Sequence, residues 1–81
     1  MADTISLRHM HIGQTRTIAR IEARGEMGRR IRDMGLVPGV TVTVIGRAPL
    51  KDPVALQTQG GVITLRNNEA DQIRLTHPEV V

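Results

Sequence analysis

The chain contains no phenylalanine, tyrosine or tryptophan among its 81 residues, and this absence limits the core that it can build. The interior has to come from valine, isoleucine, leucine, methionine and alanine. A chain of this length buries only roughly 60–65% of the surface that it exposes when unfolded, so its stability depends on many small contacts. We therefore expect residues 1–81 to form one small domain, without room for a second core.

The composition excludes several classes of function. Without cysteine the chain has no disulfide, thiolate metal site or cysteine nucleophile. Without aromatic side chains it cannot build a groove for a polyproline helix or stack nucleic-acid bases. No Ser-His-Asp arrangement, phosphate-binding glycine loop or pair of carboxylates in an evident pocket indicates catalysis. No apolar run is long enough for a signal peptide or a membrane span. We expect a non-enzyme that stays in the cytoplasm and does not insert into the membrane.

The basic residues are concentrated in the first part of the chain. Ten of the eleven are arginine, and the net charge is +3. Residues 1–32 hold seven arginines and three acidic residues, whereas residues 33–81 hold four basic and five acidic residues. The densest group is Arg24, Arg29, Arg30 and Arg32. Such a group can bind nucleic acid, an anionic membrane or an acidic protein, and it can equally be a solvated helix face.

Residues 26–34 have the spacing of a two-turn helix. Met27, Ile31 and Met34 recur at i, i+4 and i+7, which predicts one buried stripe and leaves the arginines facing solvent with no role in the core. Gly35 follows directly, where a left-handed backbone ends a helix most easily. We expect Pro38-Gly39 to form the next turn.

The rest of the chain reads as strands and turns. A turn capped by Ser6 precedes the first expected strand. Two prolines, Pro49 and Pro53, indicate a fixed loop, and Gly60-Gly61 predicts a tight hairpin turn with positive φ at both glycines. The expected strands cover Thr15–Ile21 and residues 40–45, 54–59, 62–66 and 73–76, with Val40, Val42 and Val44 pointing inward. This order favours a small closed barrel.

Five segments of the chain form a pattern in their order and spacing. The central one is RRIRDMGLVPG at residues 29–39. The others are residues 10–13, 19–21, 48–53 and 65–70. Together they resemble the FeoA family of ferrous iron transport accessory proteins, and the resemblance covers about residues 7–76. The sequence departs from the family's pattern at Met10, Ile12, Met27, Ile31 and Lys51, which leaves the expected fold unchanged.

The resemblance implies a mainly β, SH3-like barrel with a short helix inserted after the first strand. It also implies a cytoplasmic partner of a FeoB-type ferrous iron transporter. The family domain also occurs fused to metal-dependent repressors, but these 81 residues leave no space for a helix-turn-helix half. We expect the transporter to dock on Arg29, Arg30, Arg32 and Leu50. The expected structural turns are at Gly35, Pro38, Gly39, Pro49, Pro53, Gly60 and Gly61.

Metal binding is the alternative function. His9 and His11 have the spacing that places two imidazoles on one side of an extended segment, and His77 is a third histidine. No third ligand is evident beside the first two, so no residue is assigned to a metal and no cofactor is expected. Weak binding of a transition metal, or a metal-sensing role, stays open as the alternative. We expect no nucleic-acid partner. A two-turn helix that carries Glu26 and Asp33 beside its arginines is poorly suited to bind in a groove of a nucleic-acid duplex. The sequence leaves open the oligomeric state and whether transport is activated or inhibited.

Overall fold

The computed structural model describes residues 4–47 and 53–76. Its elements are six strands, a 3-10 turn and two helices. In chain order they are β1 (Thr4–Ser6), the 3-10 turn (Leu7–His9), β2 (Thr15–Ile21), α1 (Gly25–Asp33), β3 (Thr41–Arg47), β4 (Val54–Thr58), β5 (Gly61–Leu65), α2 (Asn67–Ala70) and β6 (Ile73–Thr76).

The six strands form one antiparallel sheet that bends at β2. The strand order is β1-β6-β2-β3-β4-β5. The first part of β2 pairs with β3, through Thr15 opposite Thr43, and its second part pairs with β6, through Ile21 opposite Ile73. The register shifts between Ile18 and Arg20, as at a β-bulge, which increases the local twist and bends a strand. One strand therefore belongs to both halves of the sheet.

The prediction of a closed barrel is wrong for the described part of the chain. The sheet has two ends, β1 and β5, which do not pair with each other. The strand that was predicted to be the first is the second strand of the structure, because the sequence pattern missed β1. That strand has only three residues and depends on long-range partners: it pairs with β6, and the Arg74 side chain donates to Thr4 Oγ1 at 3.0 Å and to Thr4 O at 2.9 Å.

The core consists of aliphatic side chains from every part of the sheet and from α1. Val42 and Val44 are fully buried as predicted, whereas Val40 precedes β3 and is half-buried. On α1 the predicted stripe is narrower than expected, because Ile31 is fully buried while Met27 and Met34 are half-buried. The other fully buried members are Leu7, Leu36, Val54, Leu56, Leu65, Ala70, Ile73 and Leu75.

The turns lie at the predicted glycines, except that one hairpin turn is displaced by one residue. Gly35 lies two residues after the end of α1 and has a φ of 89°. Gly39 has a φ of 96°, and Val40 N donates to Val37 O at 3.1 Å across the Pro38-Gly39 turn.

The hairpin between β4 and β5 turns one residue earlier than predicted. Thr58 pairs with Gly61, so the two loop residues are Gln59 and Gly60. Gly61 has a φ of 124°, but Gly60 does not have the positive φ that we expected. The Thr58 hydroxyl explains the shift, because it accepts from Gly60 N at 3.2 Å and donates to Gly61 O at 3.1 Å.

Candidate functional site

The exposed side of α1 carries the arginine face, which we define as Arg29, Arg30 and Arg32. All three side chains are exposed, whereas Gly28 and Ile31 on the same helix are buried. The pattern of buried and exposed residues therefore agrees with the prediction that these arginines point away from the core.

The close packing at Gly28 holds α1 in place. A Cβ at this position would lie 2.5 Å from Ala23 O, which is shorter than any ordinary contact with a backbone atom. It would also lie 3.1 Å from Arg32 Nη1. Gly28 therefore allows the first turn of α1 to approach the segment before it, and this approach fixes the direction in which the arginine face points.

Arg30 has a structural contact that the sequence analysis did not foresee. Its Nη2 lies 3.4 Å from Glu69 Oε2, and the Glu69 side chain is only 7% exposed whereas that of Arg30 is 63% exposed. The other carboxylate oxygen, Oε1, accepts from Arg66 N at 3.0 Å at the start of α2. A buried carboxylate needs a cation or donors nearby. Arg30 faces outward as predicted, but it also places its guanidinium beside the buried Glu69, a contact that the prediction of no core role did not include.

A groove runs between α1 and the end of β5. It has a volume of about 450 Å³, and Arg30 and Met34 line it on the helix side. The opposite side is formed by Thr64, Leu65, Arg66 and Glu69. A smaller cavity of about 270 Å³ shares Arg30, Arg66 and Glu69 with it. The structure thus joins the arginine face to a recess with aliphatic, thioether and guanidinium groups.

The loop that was expected beside the helix is only partly described. Leu50 and Pro49, which were predicted as a docking residue and a turn residue, lie outside the described residues. Pro53 is described and lines the groove with Arg30 and Met34. The loop therefore re-enters the described structure next to the arginine face.

The histidines of the alternative function line a different groove. His9 and His11 are exposed and border a recess of about 540 Å³ together with Arg8 and Arg47. Among residues 4–47 and 53–76 there is no group of three or more His, Cys, Asp or Glu residues that could hold a metal ion. His77 lies outside the described residues. The described residues that line this groove therefore include two histidines, with no third His, Cys, Asp or Glu grouped with them.

Arg47 was missed by the sequence analysis, although it organises this second groove. Its Nη2 donates to Arg8 O at 2.8 Å and to Met10 O at 2.7 Å, and a longer contact of 3.5 Å joins it to Leu7 O. The side chain thus ties the end of β3 to the segment after β1. No local pattern marks such an arginine, because its acceptors are backbone atoms more than 35 residues away.

The bent antiparallel sheet, with one helix between its second and third strands, defines an SH3-like domain. In the described part of the chain, none of the helices has the length and apolar composition that crossing a membrane requires. The chain belongs to the FeoA domain family, whose model matches residues 5–77.

Three known proteins show this similarity. The Fe(2+) transport protein A/Fe(2+) transporter FeoB fusion protein of Porphyromonas gingivalis is 39% identical over 69 residues, which are 85% of this chain and 8% of that protein. The solution structure of a FeoA-like protein from Clostridium acetobutylicum has a TM-score of 0.86 at 32% identity, covering 100% of this chain and 93% of the other. The zinc complex of Stenotrophomonas maltophilia FeoA, described as a prokaryotic SH3 domain protein, has a TM-score of 0.76 at 21% identity and covers 88% of each chain, a likeness of fold alone.

Proposed function

We propose that this protein is a cytoplasmic accessory protein of ferrous iron transport, which binds the cytoplasmic part of a FeoB-type transporter and modulates its activity. The observation that carries the proposal is the 39% identity to a protein in which transport protein A and the transporter form one chain. Two domains that are fused in one organism commonly associate when they are separate chains in another. The chain spans only 8% of that fusion protein, so the transporter part would be supplied by the partner.

The arginine face is the proposed docking surface. Guanidinium groups pair with carboxylates through two parallel hydrogen bonds, and their stems cover apolar surface. Arg29 and Arg32 are exposed and no ion pair engages them among the described residues, so their charge is open to a partner. Leu50 is the proposed apolar anchor on the neighbouring loop. The proposed chemistry is association alone, without catalysis and without a cofactor.

The experiment compares charge reversals on and off the arginine face. Arg29→Glu and Arg32→Glu, separately and together, are tested for binding to the purified transporter. The control is Arg20→Glu on β2, which breaks only a solvent-exposed ion pair with Glu22. Truncating an interface anchor commonly costs about 1–2 kcal/mol, so we expect the double variant to bind at least about tenfold more weakly. The control should bind like the parent protein, and iron uptake should slow only with the α1 variants.

Arg30 is left unchanged in this comparison, because its pairing with Glu69 would mix a folding effect into the result. If the folded double variant binds the transporter as well as the parent protein does, the docking surface lies elsewhere on the domain. If the parent protein itself does not bind the transporter, the proposed function is wrong.

A further inference from the structure

The free edge of β5 lacks the features that usually protect an edge strand. Within the described residues β5 pairs with β4 alone, at one end of the sheet. Edge strands are normally kept from further pairing by charged residues, proline, a bulge or very short length. β5 has five residues, GVITL, with no charge and no proline, and its pairing with β4 has no register shift. The opposite edge, β1, is only three residues long.

The exposed groups of β5 can accept another strand. An antiparallel ladder points the backbone N–H and C=O of alternate residues away from the neighbouring strand. Because Thr58 and Gly61 flank the hairpin loop, the register assigns this outward direction to Val62 and Thr64. The side chains of both residues are exposed, and Val62 is 60% exposed.

Two arginine side chains lie near the end of β5, where an additional strand paired with β5 would end. Arg66 directly follows β5, and Arg30 faces Thr64 and Leu65 across the groove. Glu69 balances only one of these two charges. A second copy of this chain, paired antiparallel through its own β5, would place its glycine turn opposite Arg66 and would offer no carboxylate to either arginine. The charges therefore favour an acidic occupant.

We propose that the free edge of β5 pairs with an extended, acidic segment of a partner protein, whose carboxylates meet Arg30 and Arg66. Backbone hydrogen bonds to Val62 and Thr64 supply the pairing, as in other complexes formed by strand addition. The carboxylates supply the preference for an acidic sequence. The inference rests on the proposed function only for the identity of the protein that carries the segment.

The first experiment uses a soluble ten-residue peptide that alternates threonine and glutamate, with a threonine–lysine peptide as its counterpart. We expect the glutamate peptide alone to protect the amides of Val62 and Thr64 from hydrogen exchange. Val62→Glu should weaken its binding at least tenfold by like-charge repulsion, whereas Val62→Lys should bind as well as or better than the parent protein. Since Val62 is exposed, both variants should fold.

A second pair of variants tests the backbone directly. Thr64→Pro removes an outward N–H at an edge position where proline is tolerated, and Thr64→Ala keeps it. Only the proline variant should fail to bind the glutamate peptide. The proposal is overturned if the lysine peptide binds equally well, if Val62→Glu leaves binding unchanged, if the amides of Val62 and Thr64 stay unprotected, or if sedimentation shows that the edge joins two copies of this chain.

The same variants separate this inference from the proposed function. If the transporter binds Val62→Glu as tightly as the parent protein, the docking surface excludes β5 and the proposed function stands. If the glutamate peptide binds at β5 and the transporter does not bind at all, the edge site stands and the transporter is not its partner.

Discussion

Gly35 and Gly28 are both required as glycines, but for different physical reasons. Gly35 has a φ of 89° and no atom within 4 Å of the position that a Cβ would occupy, so only the backbone conformation excludes other residues. Gly28 does not have a positive φ, and a Cβ there would collide with Ala23 O. The sequence identified the first glycine from its place after the helix, whereas the second depends on a neighbour that only the folded chain brings close.

Gly35→Val is expected to destabilise the protein through the backbone alone. A residue with a Cβ in the left-handed conformation costs about 1–2 kcal/mol. In a domain of this size each kcal/mol lowers the melting temperature by roughly 4–8 °C. Gly46→Ala is the matched control, because Gly46 also has open space around it but no positive φ, and its melting temperature should not fall. An unchanged melting temperature for Gly35→Val would contradict the left-handed backbone conformation of Gly35.

Arg30→Glu should destabilise the fold, whereas Arg29→Glu should not. The new carboxylate would lie beside the buried Glu69, and two neighbouring carboxylates repel each other. We expect a lower urea midpoint for Arg30→Glu, and a smaller loss when the same change is made in a Glu69→Gln background. If the loss is equal in both backgrounds, the ion pair contributes nothing to folding.

At the level of elements, the single Arg47 side chain connects two segments that the sheet does not pair. Its carbonyl acceptors belong to the 3-10 turn and to Met10, which directly follows that turn. This contact holds the N-terminal segment against the end of β3. His9 and His11 line the same groove as Arg47.

Arg47→Ala is expected to lower the free energy of unfolding by about 2 kcal/mol, because hydrogen bonds from a charged group contribute about 1.5–3 kcal/mol. Arg47→Lys keeps the charge but loses the guanidinium geometry, so it should recover only part of the loss. Urea denaturation measures both values. Hydrogen exchange should show the largest increase at residues 7–10, and a uniform increase over the whole chain would argue against a local clamp.

Most elements could be predicted from short-range signals. β2 has the predicted bounds, because its β-branched residues and flanking turns are local features. The hairpin turn was displaced by one residue, because the Thr58 hydroxyl and the strand register decide which residues form the loop. β1 was missed because three residues carry no periodicity, and its stability comes from β6 and Arg74.

At the scale of the whole molecule, the positive charge should give only weak, nonspecific contacts with DNA. The net charge is +3, and no aromatic side chain is available for stacking. Binding should be micromolar or weaker and should disappear by about 200 mM salt, since phosphate contacts alone release counterions. An electrophoretic shift that persists at this salt concentration and depends on DNA sequence would contradict the prediction.

The sequence by itself determined the β-rich fold, the place of the helix, its terminating glycine and the outward direction of the arginines. These depend on periodicity and on backbone preferences, which act over a few residues. The tertiary structure alone decided that Arg30 lies beside Glu69, that Arg47 clamps the N-terminal segment and that, within residues 4–47 and 53–76, the sheet stays open between β1 and β5. Each of these depends on residues far apart in the chain, and only the folded backbone sets which distant groups come close enough to interact.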